Sequence, residues 1–255
     1  ILKLNQSVEE NASVYFEKAK KAKSTIDGVK TALKKAYKDL AKIEDKIEEE
    51  AEKEKEQEKK KTRKKEWYEK FRWFISSEGM LVIGGRDATT NEIVIKKHTE
   101  NHDVVFHTDM AGSPFFVVKT EGKEADDKTI REAADATCTF SRAFKLGLQS
   151  QSVFYVKPEQ VTKEANSGEF LAKGSFMIRG KTNYVENNIN CAIGRMADGK
   201  VMCGPKDAVK KHCEDMLIVE QGEKKPSDAA KMVKKKLDLD DLDEIIRALP
   251  AGNLS

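Results

Sequence analysis

Cysteine is scarce in this chain, and none of it is paired in a CxxC motif. The four cysteines are Cys138, Cys191, Cys203 and Cys213. Cys191, Cys203 and His212-Cys213 are too irregularly spaced for a knuckle or ribbon, so no metal and no cofactor is expected. Free buried thiols in a reducing cytosol are the default. Long apolar runs are missing too, which excludes a hydrophobic membrane-spanning helix. No signal peptide is present, so a cytoplasmic location is expected. A strong excess of one charge is also lacking: 47 Lys and Arg face 44 Asp and Glu, for a net +3. That excludes a histone-like polycation and leaves nucleic-acid binding to a local patch. The first residue is Ile1 rather than Met, and the chain is expected to be part of a longer one.

Charge in total is abundant, at 36% of 255 residues, and much of it sits in the first quarter. There, Val8, Ala12, Tyr15, Ala19, Ala22, Ile26, Val29, Leu33, Ala36, Leu40, Ile43 and Ile47 recur in alternating steps of four and three. Such an a/d seam predicts a coiled coil, which a single helix cannot bury alone. A partner helix is therefore expected, from the same chain or another. Ser7 and Glu10 suit a capping box. Gly28 is the one local break, either a kink or the tip of an antiparallel hairpin. The run from Glu48 to Glu66 is almost wholly charged, and as a helix would present a basic patch over Lys59–Lys65.

The rest predicts an α+β fold: a mixed, mainly antiparallel sheet with packed helices, preceded by the helical arm. The expected domains are an arm over 1–70, a globular domain over 71–205 and a C-terminal extension over 206–255. Met80-Leu81-Val82-Ile83 and the β-branched run Ile93-Val94-Ile95 read as two strands of a hairpin. Gly84-Gly85 between them allow a close backbone approach or a bulge. The aromatics of WYEKFRWF (Trp67–Phe74) read as a plug that docks a helix onto the core, ahead of a base-stacking platform. Strands are expected at Asp103–His107, Ser113–Lys119 and Ser152–Val156, with one helix over Thr129–Leu146 stopped by Gly147. Ser167-Gly168-Glu169 and Lys173-Gly174-Ser175 are turn-like, and Phe176-Met177-Ile178 is a short apolar run. A hairpin should turn at Asp198-Gly199. Helix, strand and helix follow over Lys206–Cys213, Met216–Glu220 and Asp228–Lys236, with Ser227 as a cap. An amphipathic helix ends the pattern at Asp238–Leu249.

Two blocks carry more than periodicity. WYEKFRWFISSEGMLVIGGRDATTNE (Trp67–Glu92) and KPEQVTKEANSGEFLAKGSFMIRGKTNY (Lys157–Tyr184) resemble the RNA-binding domain of the NFACT family, named for NEMF, the fibronectin-binding proteins, Caliban and Tae. The resemblance covers roughly residues 7–205, and the tail looks archaeal. It implies work in ribosome-associated quality control. There such proteins bind a large ribosomal subunit that carries a stalled nascent chain, recruit aminoacyl-tRNA, and promote template-free tailing of that chain. The implied partners are tRNA, large-subunit ribosomal RNA, and a partner helix or ribosomal proteins for the coiled coil. The family's NFACT-N domain, its helix-hairpin-helix segment and the zinc knuckle of some members have no counterpart here. The expectation is therefore RNA binding without tailing by this chain alone, and no enzyme active site.

The residues expected to touch RNA are Arg86, Lys96, Lys97, His98, His107, Arg142, Lys173, Arg179 and Lys181. Most lie at predicted element ends, where a cation can meet a phosphate. Two other readings stand beside this one. The coiled coil could be the active part, as a protein-interaction scaffold. Alternatively, His107 and Asp109 could act as acid and base in an enzyme on nucleic acid.

Overall fold

The computed structural model describes residues 5, 7–59, 65–164 and 171–255, and side chains are described there except at 11, 41–42 and 44–59. The turn expected at 167–169 and the basic patch expected over 59–65 lie wholly or largely outside that range. The chain divides into two units, Ile1–Lys65 and Glu66–Ser255.

The first unit is one helix, α1 (Val8–Lys59). Its start is the capping box expected from sequence. Glu10 N donates to Ser7 Oγ at 3.1 Å, and Ser7 N donates to Glu10 Oε2 at 2.8 Å. The expected break at Gly28 is absent: the helix runs through it, because one glycine costs only about 1 kcal/mol against an otherwise helix-favouring run. The seam is bare within this unit, with Ile26, Val29, Leu33 and Leu40 all more than half exposed.

The second unit opens on a 3-10 turn, Trp67–Lys70. Then follow β1 (Arg72–Ile75), β2 (Leu81–Gly84), α2 (Ala88–Lys97), β3 (Val104–Thr108), β4 (Phe116–Lys119), α3 (Asp127–Thr139), α4 (Arg142–Lys145) and β5 (Val153–Val156). The chain continues through β6 (Val161–Thr162), β7 (Met177–Ile178), β8 (Asn183–Val185), β9 (Ala192–Arg195), β10 (Val201–Gly204), α5 (Lys206–His212), β11 (Asp215–Ile218), β12 (Gln221–Lys224), α6 (Pro226–Lys236) and α7 (Leu242–Ala248). The main sheet runs β1-β2-β4-β3-β5-β8, a second runs β10-β9-β11, and β6 pairs with β7. Every ladder among the described residues is antiparallel. The fold is α+β, as the sequence predicts. No helix among the described residues is long and apolar enough to cross a membrane.

Helix α3 packs on β3, β4 and β5, and its buried Ala133, Ala134 and Ala136 let the helix sit close to the strands. It also carries a buried carboxylate, Glu132, which accepts from Ser77 N at 2.8 Å and from Ser77 Oγ and so ties the β1–β2 turn to the helix. Burial raises the Glu132 pKa. Of the aromatic cluster, Phe71, Trp73 and Phe74 are buried in the core, while Trp67 is exposed. Residues beyond 205 share this core through Ala208, Val209, Ile245 and Leu254.

Four expectations are corrected. The run Ile93-Val94-Ile95 is not a strand but the middle of α2. Asp87 accepts from Thr90 N at 2.8 Å and caps the helix, and that cap together with burial of Asn91 and Val94 outweighs β-branched propensity. The single helix over Thr129–Leu146 is two, because Ser141 interrupts it: Ser141 Oγ donates to Cys138 O and accepts from Ala143 N, opening α4. Ser227 does not cap α6. Pro226 stands at the first helical position, its fixed φ already helical, with Lys225 at the cap. The tail helix is shorter than expected, at Leu242–Ala248, because Asp241 caps it from within the predicted span.

Candidate nucleic-acid interface

The two sequence blocks meet at one cleft of about 380 Å³. Its walls are Arg86–Ala88 and Asn91 at the start of α2, Ala111–Phe115 before β4, Phe140–Arg142 and Lys145 around α4, and Lys173–Phe176 before β7, with Arg72, His107 and Ala251. A volume in this range suits one small ligand or one nucleotide-sized group.

Glycines set the walls. Gly84 and Gly85 do make a close approach, but the partner is the protein itself. A Cβ on Gly84 would stand 2.5 Å from the Phe116 ring, and one on Gly85 would overlap Asn91 Oδ1 and come within 2.9 Å of Asn91 N. Asn91 Oδ1 in turn accepts from Phe115 N at 3.1 Å, so the pair of glycines indirectly fixes the cleft floor. Gly85→Ala is expected to cost about 1–3 kcal/mol by overpacking, read as a lower urea midpoint. A change under about 0.5 kcal/mol would show that Asn91 yields without cost. Across the cleft, Gly174 has φ +80 and lies so close that a Cβ would be 2.5 Å from Ala88 Cα. Its N–H donates to Glu92 Oε1 at 3.3 Å, and Lys163 Nζ pairs with the same oxygen at 2.7 Å. That pairing with Lys163 holds the Glu92 pKa down to about 2. The staple joins the second block to α2.

Of the nine residues expected at the interface, four line the cleft: Arg86, His107, Arg142 and Lys173. They are not equivalent. Arg86 Nη2 donates to Phe71 O at 2.9 Å, so its guanidinium is tied to the backbone. The His107 ring stacks on Phe115 at 4.1 Å, and its Nε2 lies 3.2 Å from Ser113 O. Burial lowers its pKa, which keeps the ring neutral at pH 7. Arg142 and Lys173 are exposed and carry no ion pair among the described residues. The other five lie elsewhere. Lys96 pairs with Glu92 at 3.6 Å, and Lys97 closes α2, where the helix dipole favours a cation. His98 stacks on Trp67 at 4.5 Å. Arg179 and Lys181 belong to a turn held by Gln160, whose Nε2 donates to both of their carbonyls.

Two cleft cations were not anticipated. Arg72 stacks over Phe140 at 4.4 Å, and burial lowers its pKa to about 10, so it stays charged at neutral pH. Lys145, exposed in α4, joins Arg142 on one wall. Its placement in a last helical turn was legible in the sequence, but the partner wall was not. Against five cations stands one carboxylate, Asp87, which is occupied in capping α2.

His107 and Asp109 do not form a dyad: the Asp109 carboxylate accepts from Tyr184 Oη at 3.3 Å, while His107 faces Ser113 O. Cys191 and Cys203 are neighbours at 3.6 Å, but His212 Nε2 meets Ser76 O at 2.8 Å rather than the thiols. Burial raises the Cys213 pKa to about 12. Glu100, His102 and Asp103 bring ligand atoms within 4.8 Å of one another, yet Lys119 Nζ already holds Asp103, and a cation there would meet an ammonium.

Comparison with known families matches residues 70–180 to the NFACT protein RNA binding domain. Over 195 residues the chain is 41% identical to the archaeal Rqc2 homolog aRqcH of Methanocaldococcus jannaschii, across 74% of this chain and 29% of that protein. It is 38% identical over 180 residues to the ribosome quality control complex subunit NEMF homolog of Drosophila melanogaster, across 69% of this chain and 17% of the relative. Against NEMF of Homo sapiens the identity is 37% over 180 residues, across 69% and 16%. The chain thus spans less than a third of each of these relatives. The family match runs from β1 to β7 and contains every cleft residue except Ala251. With most of both sequence blocks and all but one of the cleft residues inside it, residues 70–180 of the chain are an NFACT protein RNA binding domain.

Proposed function

We propose that the cleft is the RNA-contacting face of a ribosome quality control factor. In this reading it grips tRNA or large-subunit ribosomal RNA while the longer protein recruits aminoacyl-tRNA for template-free tailing of stalled chains. The observation that carries it is the convergence of Arg142, Lys145 and Lys173, exposed and without ion pairs among the described residues, on a cleft built by the two signature blocks. Such cations favour phosphates over any neutral ligand. In this reading the chain's role is binding rather than chemistry: His107 Nε2 faces Ser113 O, and Asp109 is engaged by Tyr184 instead.

The test is tRNA affinity measured between about 50 and 200 mM salt. Counterion release requires log K to fall linearly with log salt, at about 0.7–0.9 per phosphate contact. Affinity that ignores salt, or no affinity, overturns the reading. A second reading is favoured by the bare seam of α1, whose Ile26, Val29 and Leu33 have no cover within their unit. There the arm docks on a partner helix or a ribosomal protein, and the two readings are compatible.

A further inference from the structure

Resting on the RNA reading, we infer that the cleft takes one unstacked nucleotide, with its base inside and its phosphate on the rim. A groove that only follows a backbone needs a strip of cations and nothing more. This site has an interior. Phe176 is half-buried on one wall and meets Phe115 edge-on at 5.4 Å. Lys163 Nζ lies 4.7 Å from the Phe176 ring centre and polarises it. The ring also lines the cleft, where it offers an aromatic surface to a base. On α2, facing the same cleft, is Asn91, a buried residue whose Oδ1 is occupied by Phe115 N. Its amide NH₂ makes no hydrogen bond among the described residues, and it is left to donate to a carbonyl or ring nitrogen. Arg142, Lys145 and Lys173 stand at the same cleft as exposed residues, where a 5′-phosphate would lie.

The inference separates two kinds of RNA. In a duplex the bases are stacked and paired, and none can enter a cleft of about 380 Å³ without first being extruded. Loops, bulges and free ends present their bases directly. The cleft therefore selects unpaired RNA, and because Asn91 offers only donors, it favours a base edge that accepts.

The experiment uses the full chain and three probes: a single-stranded RNA dodecamer, the same strand with one central abasic site, and its duplex. A titration with uridine and adenosine 5′-monophosphates, followed by amide resonances, needs no variant. Single-stranded RNA is expected to bind at least about tenfold tighter than the duplex, the worth of roughly one stacked base. The abasic strand should lose a similar factor. The monophosphates should shift Asn91, Phe115, Gly174 and Phe176 and compete with RNA. Phe176→Ala should remove the preference for intact over abasic RNA while leaving the salt slope unchanged. Equal binding of strand, abasic strand and duplex, with those resonances unmoved, overturns the nucleotide pocket and leaves the RNA reading standing. Shifts by monophosphate without any RNA affinity would keep the pocket and overturn the RNA reading. Silence in every arm overturns both.

Discussion

Replacing Asp103 with alanine is expected to destabilise the globular unit by about 3 kcal/mol, the low end of the roughly 3–5 kcal/mol for removing one partner of a buried ion pair. The Asp103 side chain is fully buried and the Lys119 side chain is 11% exposed. One carboxylate serves three donors: Lys119 Nζ, Glu100 N at 2.8 Å and Thr120 N at 3.2 Å. Lys119 also donates to His98 O at 3.0 Å, so the cluster joins the end of α2, the start of β3 and the end of β4. The cost stays at the low end because Glu100, 3.6 Å from Lys119 and largely exposed, remains to offset part of the stranded charge. The pair itself need not be stabilising, since desolvation opposes its attraction. The double variant Asp103→Ala with Lys119→Met is therefore expected to recover much of the loss. Urea unfolding of the wild type and three variants completes the cycle. Additive losses from the two single variants would show that the charges do not need each other.

That cluster also shows which parts of this molecule were legible from the chain. Asp103 and Lys119 each stood at the end of a correctly read strand, but nothing local announces that two residues sixteen apart share a hydrogen bond. The strands β3, β4 and β5 were readable because apolar residues are confined to short runs bounded by polar ones. The turn at Asp198-Gly199 was readable because Gly199, at φ +81, adopts a conformation that side chains disfavour. Ile93-Val94-Ile95 misled because three β-branched residues outvoted a cap six residues upstream, at Asp87. The Asp87-x-x-Thr90 spacing was the signal that would have corrected it. The same local error moved the site. As a hairpin, the first block would have put Lys96 and Lys97 at the end of its second strand. As a helix, it points its N-terminus at the cleft and carries those lysines to the far end. Lys145 and Arg72 were missed for the opposite reason. Each belongs to an element that was read as structural, and only the fold brings Arg72, stacked over Phe140, and the Arg142–Lys145 turn to one cleft. Charge type could be read from sequence, but convergence could not.

Convergence is what the second large effect tests. Reversing Arg142, Lys145 and Lys173 together to glutamate is expected to lower tRNA affinity by at least about a hundredfold near 50 mM salt and to flatten the salt dependence by about 2–3 in slope, since each phosphate contact contributes about 0.7–0.9. All three side chains are exposed and have no ion pair among the described residues, so the melting temperature should change little. The control is reversal of Lys96, Lys97 and Lys181, which carries the same change in net charge on residues outside the cleft. A general electrostatic attraction would respond equally to both triples, because at low salt the field of the whole chain steers a polyanion. A site responds to place. The cleft triple should therefore lose several times more affinity than the control, and the difference should persist at about 150 mM salt, where charges more than about 8 Å apart are largely screened. Equal losses at both salts would assign RNA attraction to net charge and remove the cleft from the account. A larger loss from the control would move the contact to the C-terminal end of α2 and the turn at Gly180. In that case the two family blocks would still meet at the cleft, but as a structural joint between α2 and the loop before β7, held by Glu92, Lys163 and Gly174.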